Sequence, residues 1–215
     1  SARDFFLFQR TPSTVGIRGN RPISPADLTD FAPGWQKRRQ ENFTTIWAGR
    51  PVDEDMVEDG WTYICKELYC SPEYEGLSGE DRARKRDEID LRLMEEIRGR
   101  IDAVVKDKAT ADALKPYYDY FCKRPGWHDE YLEAFNLPNV HLVDTQGAGV
   151  EAVYEDGVIV RGERYPLDCL IYGTGFVTET TGKLQLGFSV FGRDGVPLAD
   201  RWKDERAPAP WSRLF

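Results

Sequence analysis

An α/β fold interrupted by a long helical insertion is the architecture this sequence predicts, on three observations. Apolar, strand-like runs stand at residues 5–9 and 139–144. Between them, residues 16–120 read as mainly helical, most clearly over 80–105, where Ile89, Leu93, Ile97 and Ile101 recur on one face. A third apolar run, 167–176, ends in the pair Gly173 and Gly175, and the carboxyl ends of strands are where α/β sheets bind ligands.

Taken in order, "FFLFQ" at 5–9 is a short strand bounded by the turn signal Thr11-Pro12-Ser13. Residues 16–32 are loop-like. Residues 34–48 form a helix with Trp35, Phe43 and Trp47 on one face, and 61–68 a second helix. Ser78 and Asp81 give the helix at 80–105 a capping-box-like start, and its Arg, Asp and Glu residues make a solvated face. Residues 131–135 predict a short helix and 139–144 a buried strand. Residues 150–165 follow as a hairpin turned at Asp156-Gly157, and 167–176 as another buried strand. Residues 184–198 close as a β-ribbon turned at Arg193-Asp194-Gly195.

Composition narrows the function. With 215 residues, 40% hydrophobic and 13% aromatic, the chain is globular. A net charge of −8 and a pI near 5.0 argue against bulk nucleic-acid or anionic-membrane binding, so any anion site must be a local cluster. Cys65, Cys70, Cys122 and Cys169 form no CxxC and only His128 and His141 could join them, so no metal site is expected. That cysteine usage predicts a reduced, cytoplasmic protein. No run approaches a membrane span and no signal peptide opens the chain. The opening "SARDFFLFQRTPS" and the close "APAPWSRLF" suggest a segment of something longer.

Four stretches invite a chemical reading. "TQGAGVEA" fits GxGxxA, but that fingerprint needs a helix after it, and a hairpin is expected here. In "YGTGF", Gly173, Thr174 and Gly175 are either a plain turn or a close backbone approach to a ligand. In "FQRTPS", Arg10 at a strand end, with Thr11 as hydroxyl donor, fits the 2′-phosphate of NADP, although any strand can end in Arg. In "CKRPGWHDE", Lys123 and Arg124 stand side by side before Pro125, which is either a solvated loop or a place for an anion. Asp129 and Glu130 could simply pair with those two cations. His128 reads as a local hydrogen-bonder and His141 as facing a polar layer. No Ser-His-Asp or Cys-His arrangement can be argued.

Together, "FQRTPS", "PGWQKRRQENF", "CKRPGWHDEYLEAFNLPNVHLVDT" and "YGTGF" resemble the Baeyer–Villiger monooxygenases, flavoproteins that use FAD, NADPH and oxygen to turn ketones into esters or lactones. The resemblance runs from about residue 5 to about residue 203. It implies a partial Rossmann-like fold of the kind with two dinucleotide-binding domains. Residues 1–15 would end the first segment of the NADP domain, 16–120 would be its helical insertion, 121–182 its return, and 183–215 the start of a returning FAD-domain segment. It implies that Arg124 is the catalytic residue, stabilising the anions formed during oxygen insertion over the flavin. Lys123, with Arg10 and Thr11, would hold the NADP 2′-phosphate, and Thr174 and Gly175 would lie by the nucleotides. The family's two GxGxxG motifs are absent, so both cofactors need a preceding part for full binding, and the 215 residues alone are expected to be inactive. Two alternatives stand beside this: an N- or S-oxidising flavin monooxygenase, and a truncated, non-catalytic interaction module. For the piece by itself, the strands at 5–9 and 139–144 are expected to lack neighbours and to expose apolar edges.

Overall fold

The computed structural model of the chain describes residues 2–25, 31–174, 191–192, 194–197 and 200. It divides into two compact units, Ser1–Asp168 and Cys169–Phe215.

In the first unit, β1 (Phe5–Gln9) pairs in parallel with β4 (Val140–Asp144), in a register running from Phe5 opposite Val140 to Gln9 opposite Asp144. A parallel pair needs a crossover, and here everything between the two strands supplies it. The expectation that these strands lack neighbours is therefore corrected: they are each other's neighbour. Phe5 is still 46% exposed, and among the described residues each strand of this two-stranded sheet keeps one unpaired edge. β4 is half-buried along its whole length rather than fully buried.

The insertion holds α1 (Trp35–Trp47), α2 (Gly60–Cys70), α3 (Gly79–Val104) and α4 (Lys108–Leu114). α3 buries the stripe Ile89, Leu93, Met94, Ile97 and Ile101 against Ile64 and Leu68 of α2, Leu114 of α4 and Leu132 of α5 (Tyr131–Ala134). Leu7, Val140 and Leu142 of the sheet lie against the same cluster, so helices and sheet share one core. Leu93 is 1% exposed, and Leu93→Ala is expected to cost about 2–5 kcal/mol, read from denaturant unfolding.

The capping box expected at Ser78 does not form: Ser78 makes no side-chain cap hydrogen bond. Gly79 follows at φ +53, in the left-handed region, so the helix does not begin with the regular first turn a capping box spans. Glu80 and Asp81 instead place charge at the positive end of the helix. The capping box lies at α2, where the Asp59 carboxylate accepts from Trp61 N and Thr62 N while the Thr62 hydroxyl takes the Asp59 amide.

A small parallel pair, β2 (Val15–Gly16) with β3 (Gly126–Trp127), lies in segments read as loop from the sequence. The hairpin expected at 150–165 is a three-stranded meander, β5 (Ala152–Tyr154), β6 (Gly157–Val160) and β7 (Glu163–Pro166). Gly157 is needed for closeness rather than for φ, because a Cβ there would overlap the Tyr165 carbonyl. The positive-φ turn lies one strand later, at Arg161 and Gly162.

In the second unit, the buried strand expected over 167–176 is absent from its described part. Ile171 and Tyr172 are 82% and 71% exposed. A strand exists only where neighbours take its N–H and C=O groups; Leu167 N donates to Asp156 O at 2.8 Å, but no strand among the described residues pairs with the run. A single antiparallel bridge joins Phe191 and Pro197, with Gly195 N donating to Gly192 O around the expected turn. Arg193 lies outside the described residues.

Candidate functional site

Gln9 ends β1 with its side chain buried, and its amide Nε2 donates to Ala113 O of α4 at 2.8 Å. Its carbonyl accepts from Thr145 N at 2.8 Å and from Thr145 Oγ1 at 3.0 Å. These bonds clamp the carboxyl end of the two-stranded sheet, and Arg10 projects from it exposed, beside a half-buried Thr11. After Thr145 comes no helix but β5, so the GxGxxA at 147–152 holds no pyrophosphate site of the helical kind.

The Lys-Arg pair arrives from the helical side. Asp90 of α3 accepts Tyr120 N through both carboxylate oxygens, at 3.1 and 3.2 Å, and so anchors a 3-10 turn, Tyr120–Cys122. Burial pushes the Asp90 carboxyl above its usual range, against that same backbone hydrogen bond. Lys123 leaves the turn with extended backbone, φ −128 and ψ 155, and its ammonium lies 5.0 Å from the Tyr118 ring centroid. The Tyr118 hydroxyl donates to Pro12 O at 2.7 Å. One tyrosine thereby braces the loop after Arg10 against Lys123. Burial lowers the Lys123 ammonium below the usual lysine range, and the positive charge of Arg10 lowers it further. Arg10 acts on Lys123 electrostatically, and no carboxylate is paired to either among the described residues, so this place carries net positive charge.

Arg124 is exposed, with its guanidinium carbon 5.1 Å from the Trp61 ring centroid. Trp61, in the first turn of α2, packs on Trp127 at 4.4 Å between centroids and on Trp47 at 5.6 Å. Trp127 in turn fits against two glycines: a Cβ at Gly60 would overlap its indole, and one at Gly16 would lie 2.9 Å from its Cδ1. Gly60→Ala is therefore expected to displace Trp127 and cost about 1–3 kcal/mol in denaturant unfolding.

Neither neighbouring carboxylate pairs with these cations, which corrects the sequence expectation. Asp129 accepts from the backbone N–H groups of Arg18, Gly19 and Asn20 at 2.9, 3.0 and 3.2 Å, and those bonds hold its carboxyl below the usual range. Glu130 pairs with neither cation; its backbone N–H donates to His128 Nδ1 at 3.1 Å, which makes His128 the local hydrogen-bonder expected. His141 stacks on Phe6 at 4.9 Å and meets Asp4 at 3.4 Å.

The structure thus brings Arg10, Thr11, Lys123 and Arg124 to one unit. Thr174 belongs to the second unit, exposed in irregular chain, and Gly175 lies outside the described residues. Sequence reasoning missed Tyr118, Asp90, Gly60 and Trp61; only the last carried a signal, an aromatic opening a predicted helix. Among the described residues no group of His, Cys, Asp and Glu could hold a metal, and no helix is long and apolar enough to cross a membrane.

No protein-family model matches the chain. It is 49% identical over 208 residues to a pentalenolactone D synthase of Streptomyces exfoliatus, covering 94% of this chain and 36% of the relative. To a Baeyer-Villiger monooxygenase of Stachybotrys chlorohalonatus it is 46% identical over 206 residues, with coverage of 94% and 33%. Among solved structures, the polycyclic ketone monooxygenase of Thermothelomyces thermophila superposes with a TM-score of 0.77 at 37% identity, over 94% of this chain and 34% of that one. The chain spans about a third of the length of the curated relatives it matches. In sequence and fold the chain is thus similar, over nearly its whole length, to a segment of Baeyer–Villiger monooxygenases.

Proposed function

We propose that the full-length protein carrying this segment is an FAD- and NADPH-dependent monooxygenase that inserts oxygen beside a ketone carbonyl, giving an ester or lactone. The observation that carries this is Arg124: a guanidinium next to Lys123 in the chain, resting on an indole, with no described carboxylate paired to it. The relatives' names agree, one referring to a polycyclic ketone and another to a lactone.

Arg10, Thr11 and Lys123 fit the nicotinamide cofactor: burial chiefly, and the Arg10 charge in addition, disfavour the Lys123 ammonium, and a 2′-phosphate would offset the second. Thr174 and Gly175 are proposed to lie by the nucleotides. The flavin fits only in part: Arg124 would face it, while the described residues contain no glycine-rich strand-to-helix turn to hold its pyrophosphate. FAD supplies the oxygen-activating chemistry when bound. Arg124 offers planar, paired donors to the negative charge that develops on oxygen as the ketone is attacked. Lys123 and Arg10 fix the nucleotide so that the reduced ring is delivered in one orientation.

The same reading assigns residues 1–15 and 121–182 to the NADP domain, 16–120 to its helical insertion and 183–215 to a returning FAD-domain stretch. The parallel pairing of β1 with β4 across the helices supports that insertion. Four free cysteines favour a reducing, cytoplasmic location. Taken alone, the segment would be inactive.

The test is to purify the full-length protein, reconstitute it with FAD, and follow NADPH oxidation with a panel of ketones while analysing products. Ketone-stimulated oxidation yielding esters or lactones is expected. N-oxides or sulfoxides without any ester or lactone would move the protein to the heteroatom-oxidising alternative, and failure to bind FAD and NADPH would favour a non-catalytic module.

A further inference from the structure

The aromatic contact beneath Arg124 is not accounted for by the fold. Trp61 comes from α2 in the helical insertion, whereas Arg124 comes from the segment that returns to the sheet. The guanidinium carbon is 5.1 Å from the Trp61 centroid, inside the range of a cation–π contact. Arginine has four rotatable side-chain bonds, and an exposed one with no ion pair samples many rotamers. A platform that narrows this sampling matters only if the guanidinium must point somewhere.

The platform itself is rigidly built. Asp59 caps the helix at Trp61 N, 2.9 Å away, and so fixes the backbone from which the indole projects. Trp127 packs against Trp61 at 4.4 Å and is held by Gly60 and Gly16. β3 pairs Gly126 and Trp127 with Val15 and Gly16, which ties the chain three residues beyond Arg124 to the loop that follows Arg10. Pro125, buried, fixes the intervening step. Arg124 and Trp127 therefore both contact Trp61 from one short, constrained segment.

We propose that Trp61 is a positioning residue for the oxygenation step: its ring aligns the Arg124 guanidinium and lets the helical insertion set how well reduction is coupled to oxygen insertion. This rests on the functional reading above. Because arginine on tryptophan is a stronger pairing than on tyrosine or phenylalanine, the dependence on ring type is graded.

Two measurements on the full-length, FAD-loaded protein test it. The first, independent of turnover, is the labelling rate of Arg124 by phenylglyoxal, followed by peptide mass spectrometry. In a folded Trp61→Leu variant labelling should rise about three-fold, with Trp61→Tyr and Trp61→Phe between leucine and wild type. The second is product formed per NADPH consumed, which should fall about three-fold in Trp61→Leu, and less in Trp61→Phe, while flavin reduction by NADPH keeps its wild-type rate. A merely structural role would not split the two half-reactions. Unchanged labelling in Trp61→Leu overturns the proposal, as does unchanged coupling. If Trp61→Leu does not fold, equal labelling across Trp, Tyr and Phe at position 61 overturns it. A wild type that oxygenates no ketone sinks the underlying reading even where labelling remains ring-dependent, so the two failures are distinguishable.

Discussion

Arg124→Ala in the full-length protein should lower ketone oxygenation about 100- to 1000-fold, the usual loss when one preorganised donor to a developing oxyanion is removed. NADPH should still reduce the flavin, because the nucleotide contacts proposed for Arg10 and Lys123 are untouched. The consumed NADPH should then appear as hydrogen peroxide rather than as ester or lactone. The size of the effect follows from the environment of the side chain. Arg124 rests on an indole with no described carboxylate as partner, so its charge is not already spent on an internal ion pair. Arg124→Lys should recover little, since a point charge lacks the planar fork and pairs differently with the ring. Stopped-flow reduction measured beside product yield separates these outcomes. Equal loss of reduction and oxygenation would move Arg124 from oxygen chemistry to nucleotide binding.

Lys123→Ala should raise the KM for NADPH about 10- to 100-fold while leaving that for NADH nearly unchanged, which corresponds to losing one hydrogen bond between charged partners. The proposed partner at this point is a phosphate, because no described carboxylate pairs with Lys123. Burial and Arg10 both depress the Lys123 ammonium, and an added dianion reverses the second effect. The bound nucleotide should therefore raise the Lys123 pKa. Tyr118→Phe keeps the ring under Lys123 but loses the hydroxyl that holds Pro12 O, so it should disturb NADPH affinity less than Lys123→Ala. Equal loss of affinity for NADH and NADPH in Lys123→Ala would contradict the assignment.

Local patterns in the sequence were sufficient for the elements that make their own contacts. The stripe of Ile89, Leu93, Ile97 and Ile101 announced α3, and "FFLFQ" and "VHLVD" announced the strands that pair. Elements that depend on distant partners were not legible. β2 and β3 are two residues each, too short for any period, and exist because Val15 and Gly126 meet across the insertion. The apolar run after Asp168 read as a buried strand because hydrophobicity does not reveal whether a neighbour is present. At the site, Arg10, Thr11, Lys123 and Arg124 were found from local sequence and a family likeness. Trp61 and Tyr118, which support two of them, lie respectively in another helix and in the irregular chain before the Lys-Arg pair, and only packing relates them. Asp129 and Glu130 misled for the same reason: adjacency to cations suggested pairing, but Asp129 was already bound to three backbone amides.

The most direct test of the central claim uses oxygen-18 gas. The full-length protein, loaded with FAD, is given NADPH and a cyclic ketone under the labelled gas, and the product is analysed by mass spectrometry. The account predicts a lactone carrying one heavy oxygen per molecule, formed with one NADPH consumed. A lactone without label, or NADPH oxidised with the ketone left intact across the substrate panel, would contradict it.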